Sequence, residues 1–267
     1  MKFNKVQQAN INVHTELIVK GHYQSSVHKS ERNKKKLKNY FKQFKKNNFI
    51  HLDSGCGDGF IFECIPKNFS SFGVDITEAM LAECKTKFPN VTLKKSVVEN
   101  LPFENEFFDI STSFSFLDHL NNRNKYYLES FRTLKKDGIF FSGLIPNYSF
   151  YEAFLLKKLF NESLLPKDII HNELQKAFYD GDHYLNKFNI NKNELNLCEP
   201  GKSQELGINP YKEIKLLEEV GFKNIKIEFD WIVGENYIND KSLIKKIYKA
   251  SDICCSAFKY FNIYARK

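Results

Sequence analysis

No stretch of the 267-residue sequence approaches the roughly 18 apolar residues that a membrane span needs. Internal repeats and low-complexity linkers are also missing, so nothing points to a solenoid or a string of tethered modules. Six cysteines, at positions 56, 64, 84, 198, 254 and 255, form no C-x-x-C pair. A disulfide or zinc framework is therefore not indicated, and the set fits a reducing cytoplasm. The histidines show no ligand-like spacing, so no metal is expected. Met1-Lys2-Phe3-Asn4-Lys5 leads into polar residues and predicts no secretory signal. Glycine is scarce at twelve residues, yet three of them fall within five positions.

What is present is ample core material: 42 % hydrophobic residues, 15 % of all residues aromatic. The length allows one large domain, or a core with a cap. The formal net charge is +8. Positions 29–46 hold nine Lys/Arg against the single acid Glu31, enough to account for all of it. Leu37, Tyr40, Phe41 and Phe44 recur there at helical spacing, predicting an amphipathic helix with its apolar stripe inward and lysines outward. Such a face is either merely solvated or attracts an anionic acceptor, a phosphorylated substrate or nucleic acid. Charge alone does not choose.

The glycine cluster sits in Phe49-Ile50-His51-Leu52-Asp53-Ser54-Gly55-Cys56-Gly57-Asp58-Gly59-Phe60. An apolar run, an acid, alternating glycines and a second apolar run predict a buried strand, a tight turn and a helix start. Bare glycines let backbone approach a ligand, and the helix start offers it free N–H groups. Phe72-Gly73-Val74-Asp75 follows, placing an acid about 20 residues beyond the first glycine, where α/β nucleotide folds grip a ribose diol. The spacing Gly55-x-Gly57-x-Gly59 departs from the dinucleotide fingerprint G-x-G-x-x-G and disfavours an NAD-dependent oxidoreductase.

These words, with Gly73-Val74-Asp75-Ile76-Thr77, resemble the first two motifs of class I S-adenosylmethionine-dependent methyltransferases, and within them the ubiquinone/menaquinone-type small-molecule branch. Later words agree in order. Val98-Glu99-Asn100-Leu101-Pro102-Phe103 resembles the loop beside the adenine, Asp118-His119-Leu120 stands where the family often writes His-His-Leu, and Lys135-Lys136-Asp137-Gly138 stands for Lys-Pro-Gly-Gly. The family's acid for the adenine amino group lines up with Val97, leaving that contact to Glu99 or a main-chain carbonyl.

The resemblance implies an α/β fold: a doubly wound, mostly parallel seven-stranded sheet (Rossmann-like) with a helical cap inserted after strand 5. The expected divisions are a lid and basic helix over 1–47, a cofactor-binding core over 48–146, a cap over 147–208 and completion of the sheet over 209–267. S-adenosylmethionine is the implied cofactor, held by Tyr23, Asp53, Gly55, Cys56, Gly57, Asp75, Ile76, Met80, Val98, Glu99, Ser113 and Phe114. Helix packing explains Met80 equally well, and Tyr23 is either an aromatic lid or packed on its own helix.

His119 is the candidate catalytic base, taking a proton from a hydroxyl acceptor, or it closes a helix-start hydrogen-bond network. With His119, the aromatic and histidine-rich insertion offers Tyr148, Tyr151, His171, Tyr179, His183 and Tyr184 as acceptor-pocket candidates. The expected reaction is methyl transfer to oxygen or nitrogen of a small anionic metabolite, for instance a nucleotide-linked sugar or a surface-glycan precursor. An RNA or protein methyltransferase docking through 29–46, and a binding protein with decayed activity, are the alternatives; nucleic acid is not favoured, because the Asn/Asp-Pro-Pro-aromatic word is missing after strand 4.

Further boundaries follow from local signals. Thr77 is the expected N-cap of a helix ending at Pro89, and Phe60 to Ile65 a short helix ended by Pro66. Asn209-Pro210 opens a helix that Gly221 closes. A helix is expected around 242–257, and the last ten residues form a final antiparallel strand.

Overall fold

A computed structural model describes residues 3–44, 48–153, 183–235, 238–253 and 255–267. Seven strands form one sheet: β1 (Ile50–Ser54), β2 (Ser70–Asp75), β3 (Thr92–Lys95), β4 (Phe108–Phe114), β5 (Leu134–Pro146), β6 (Lys223–Ile232) and β7 (Phe258–Arg266). Their order is β3-β2-β1-β4-β5-β7-β6. The pairings among β1 to β5 are parallel, and β7 runs antiparallel between β5 and β6. The expected sheet is thus present. Chain order reverses between β1 and β4, and in open α/β sheets a crevice opens there beyond the carboxyl ends of the strands. β5 reads as a continuous apolar run from Ile139 because both its faces are covered.

Helices α1 (Lys5–Val19), α2 (Glu31–Phe41), α3 (Glu78–Lys87) and α4 (Arg123–Thr133) precede β5, and the helix Pro210–Val220 precedes β6. Asn209 caps that last helix through the Tyr211 and Lys212 amides, and Gly221 ends it at φ 111°. Three expectations shift. The run after the glycine turn is only a 3-10 turn, Phe60–Glu63, because Gly59 and Pro66 leave too few residues to repay helix nucleation. Thr77 starts α3 without a side-chain cap. The helix expected over 242–257 spans Lys241–Lys249, followed by a short 3-10 turn, Cys255–Ala257.

Two apolar clusters cover the sheet. One joins Leu52, Val74, Phe108, Phe140, Phe258 and Phe261. The other seats Leu37 and Phe41 of α2 on Phe60, Ile110 and Phe141, with Tyr40 and Phe44 at its margin. The expected stripe of α2 is therefore inward. Its cations, however, are not simply outward. Lys29 pairs with Asp58, Arg32 with Asp230, Lys34 with Glu63, and Lys36 with both Glu228 and Asp230. A third cluster lies apart from the sheet. Ala9, Val13 and Leu17 of α1 pack on Phe188, Ile190, Leu195 and Cys198, from the helices His183–Phe188 and Lys192–Cys198 and the link between them.

Asp230 ties α2 to the sheet. One oxygen accepts from Arg32 at 2.8 Å and from the Trp231 amide at 2.9 Å, and the other faces Lys36 at 3.0 Å. Burial pushes its carboxyl up, but Arg32 and Lys36 win and hold it below its ordinary 3.8. Asp230→Asn takes the carboxylate from Arg32 and leaves Lys36 with Glu228 alone; it is expected to cost about 1–3 kcal/mol in urea denaturation at neutral pH, less than a fully buried pair because Arg32 is partly exposed. A depressed carboxyl contributes fully above its unfolded pKa and loses that contribution as pH falls through the folded value. The difference between wild type and variant should accordingly shrink below about pH 4.

Candidate active site

After Ser54 the chain turns through Gly55 at φ +67° and Gly57 at φ +52°. The two glycines serve different needs. A Cβ on Gly55 would stand 2.2 Å from the Phe116 ring, whereas one on Gly57 would meet nothing within 4 Å. Gly55 is a packing glycine. Gly57 presents bare backbone to open space, beside a cavity of about 950 Å³.

The amides of this turn are already engaged. Gly55 and Cys56 both donate to the Val74 carbonyl, at 2.8 and 3.0 Å. Gly57 donates to one oxygen of Asp75 at 2.9 Å, and Thr77 to the other at 2.8 Å. The amides of Gly55, Cys56 and Gly57 are thus spent on the end of β2, and the Asp75 carboxylate that they help to hold lines the cavity. Burial raises its pKa, and the Thr77 and Gly57 amides pull it back. A carboxylate has about four lone-pair sites, so two accepted bonds leave it able to take two hydroxyls.

Of the cofactor candidates, Tyr23, Gly55, Cys56, Gly57, Asp75, Ile76, Met80, Val98, Glu99 and Phe114 line the cavity. Asp53 and Ser113 do not. Asp53 lies behind the turn, accepting from the Thr112 hydroxyl at 2.6 Å; burial pushes its pKa up to about 8. Thr112 Oγ1 stands 2.8 Å from His51 Nε2. If Thr112 donates to Asp53, His51 carries its proton on Nε2 and donates to Thr112. Ser113 is buried with its hydroxyl 2.8 Å from that of Ser142.

Of the acceptor candidates, His119 and Tyr184 line the cavity. Tyr151 is buried beside Phe150, and Tyr148 donates outward to Glu152 at 3.1 Å. Neither is part of the wall; at the end of β5 Asn147 donates to the Phe258 and Cys255 carbonyls, and its backbone amide donates to the Lys259 carbonyl. His171, Tyr179 and the side chain of His183 lie outside the described residues.

The far half of the cavity is walled by residues that the sequence did not single out. His14 comes from α1 and His28 from the segment before α2, Lys202 from the helix Pro200–Ser203, Trp231 from β6, and Lys259 and Tyr260 from β7. Burial, aided by His119, drives the His14 pKa down to about 3, and its Nδ1 is bonded to the Tyr23 hydroxyl. His28 is lowered to about 4, chiefly by burial, with Nδ1 3.1 Å from the Ser115 hydroxyl. At His119 burial pulls down, but Asp118, Cys198 and Glu199 push the pKa up to about 10. Only the lone tryptophan was a local signal; the others are single residues scattered through the chain.

Residues 52–142 match the family described as a methyltransferase domain. A ubiquinone/menaquinone biosynthesis C-methyltransferase of Campylobacter jejuni is 35 % identical over 95 residues, 33 % of this chain and 40 % of that protein. The matched stretch thus spans well under two thirds of that relative. A solved S-adenosylmethionine-dependent methyltransferase of Archaeoglobus fulgidus has TM-score 0.56 at 20 % identity, covering 94 % of this chain and 99 % of the other. Phosphoethanolamine N-methyltransferase 2 of Haemonchus contortus, solved in complex with S-adenosyl-L-methionine, has TM-score 0.52 at 14 % identity, covering 89 % of this chain and 52 % of the other. At these identities the likeness is one of fold.

The Asp53–Thr112–His51 chain underlies the glycine turn. Thr112→Val removes the hydroxyl that serves both neighbours in a fully buried position, and is expected to cost about 1–3 kcal/mol in denaturant-midpoint measurements. A loss below a few tenths of a kcal/mol would show that the hydroxyl is not needed there.

Proposed function

We propose, for a chain whose residues 52–142 are a methyltransferase domain carried on the fold of S-adenosylmethionine-dependent methyltransferases, that it transfers a methyl group from S-adenosylmethionine to an oxygen or nitrogen of a small anionic acceptor. The observation that carries this reading is the Asp75 carboxylate, fixed by two amides at a cavity wall beside the bare face of Gly57. When bound, the cofactor supplies a methyl group already activated by its sulfonium centre. The chain has to hold, orient and dry.

Asp75 accepts the ribose hydroxyls with its remaining lone pairs. Ile76, Met80 and Val98 give the adenine apolar walls, and Glu99, which accepts from Gln7 at 3.5 Å, is the polar group beside them. Phe114, Tyr23 and the roof built on α1 exclude water from the space between donor and acceptor. Holding reactants at near-attack distance in such a space is the main source of acceleration when no covalent intermediate is required.

The acceptor's charge is read from the opposite half. His119, protonated at neutral pH, and Lys259 stand there with the neutral His28 ring, Tyr260 and the Glu199–Lys202 pair, joined at 3.0 Å. A phosphate or carboxylate suits this wall; a nucleotide-linked sugar or surface-glycan precursor belongs to that class. With its pKa pushed up to about 10, His119 carries a proton at neutral pH, which suits it to pair with the acceptor's charge rather than to take the acceptor's proton. For docking of RNA or protein, the face before and along α2 keeps the exposed Lys35, Lys38 and Lys42, while Lys29, Arg32, Lys34 and Lys36 are paired within the chain.

Two measurements test the reading. Asp75→Ala is expected to weaken S-adenosylmethionine binding by about 1–3 kcal/mol in calorimetry, through loss of hydrogen bonds to a desolvated diol; unchanged affinity removes Asp75 from that role. Purified protein incubated with donor and pools of phosphorylated or carboxylated metabolites should release S-adenosylhomocysteine. With the acceptor so found, Lys202→Met should raise its KM about tenfold while donor affinity stays constant, as expected for loss of one charged hydrogen bond. A neutral acceptor, indifferent to that substitution, would overturn the anionic assignment.

A further inference from the structure

Beside the cavity, three side chains from distant segments converge. His14 lies on α1, His119 ends the 3-10 turn Leu117–His119, and Cys198 ends the helix Lys192–Cys198. Cys198 Sγ is 3.8 Å from His14 Nε2 and 3.7 Å from His119 Nδ1, and the three ligand-type atoms all lie within 4.8 Å of one another. In a tetrahedral zinc site, metal distances of about 2.3 Å to sulfur and 2.0–2.1 Å to nitrogen place ligand atoms roughly 3.5 Å apart. Both sulfur–nitrogen distances are already near that value. We propose that His14, His119 and Cys198 form a binding site for a zinc-type divalent transition cation, with its fourth position open to the cavity or to Glu199.

The surroundings support this assignment. The Tyr23 hydroxyl holds Nδ1 of His14, which fixes the ring and turns Nε2 toward the sulfur, as outer-shell partners do for ligating histidines. Asn10 fixes the backbone of the third ligand, its amide nitrogen donating to the Cys198 carbonyl at 3.0 Å. On the other side of His119, Asp118 and Glu199 form a second set of close ligand-type groups with it. One Asp118 oxygen is buried without a hydrogen-bond partner beside this set. His14 and His119 both line the cavity, which gives the ion a way in.

One thiolate and two imidazoles favour zinc, cobalt or copper over magnesium or calcium, which take oxygen ligands. On binding, the cation takes the place of the thiol proton of Cys198. It also takes the place of any proton that His119 Nδ1 shares with the Cys198 carbonyl, 3.2 Å away; these protons leave to solvent. The site does not depend on methyl transfer.

The test is a titration of metal-free, full-length protein with Co²⁺, followed by absorption and without donor or acceptor. One saturable equivalent is expected, with visible ligand-field bands, a near-ultraviolet thiolate-to-cobalt band, and loss of both when Zn²⁺ is added. Cys198→Ser should abolish the near-ultraviolet band, His14→Gln should weaken Zn²⁺ binding about tenfold or more, and Cys64→Ser should change neither. Folding of each protein is checked by circular dichroism. The proposal is overturned if folded wild type shows no near-ultraviolet band at saturating Co²⁺, or if the band persists in Cys198→Ser. Should Cys198→Ser fail to fold, unchanged Zn²⁺ affinity in His14→Gln overturns it, and the weakening upholds it.

Discussion

Two backbone amides, those of Gly57 and Thr77, clamp the carboxylate of Asp75, and the rest of the site depends on that clamp. It joins the end of β2 to the turn that follows β1, so the crevice between β1 and β4 acquires a fixed floor. The Val74 carbonyl, which takes the Gly55 and Cys56 amides, is the matching contact one residue earlier. Together they use the donors of the glycine turn to hold an acceptor group in place. The wall this presents accepts hydrogen bonds, whereas a phosphate-binding loop presents donors. That difference follows from where the backbone N–H groups point, and it separates a site for a hydroxyl-bearing nucleoside from one for a pyrophosphate.

Electrostatics elsewhere work toward assembly. The sequence concentrates its excess positive charge before and within α2, and a count of charges reads as an exposed cationic face. In the folded chain Asp58 receives Lys29 and Lys87, and Asp230 receives Arg32 and Lys36. Asp58 and Asp230 lie far apart in sequence, and both are buried. Burying a carboxylate is costly unless it is paired, and the lysines and arginine supply the pairing. Part of the charge that looks available in one dimension is consumed in three, while Lys35, Lys38 and Lys42 stay exposed.

The parallel core was legible because its signals are local: apolar runs for strands covered on both faces, glycine where the backbone must turn, and Asp75 at a fixed distance beyond. The cofactor half of the cavity inherited that legibility, and ten of its twelve expected residues stand in the wall. Asp53 and Ser113 failed for a simple reason. Position along a strand places a residue near the crevice, but side-chain direction alternates, and these two point into the packed interior toward Thr112 and Ser142. The rest of the wall was legible in part: His119 and Tyr184 were read from the sequence, whereas His14, His28 and Lys202 come from segments that share no spacing, so their meeting is set by packing alone. Intervals between histidines along the chain likewise carry no information about groups that three separate elements bring together.

The apolar cluster beneath α1 shares no buried residue with either cluster on the sheet. Contact between the roof and the core runs through residues of the cavity lining, through Asn10 on the His119 carbonyl and through Gly201 against the Asp118 backbone. A unit held in this way can open on its own, at a free energy below that of global unfolding. Its amide hydrogens should exchange with solvent sooner than those of β1 or β4. Occupants that touch both halves add the interface that the protein leaves thin. Residence time inside would then be set by how often the roof lifts, and filling the chamber would slow the lifting.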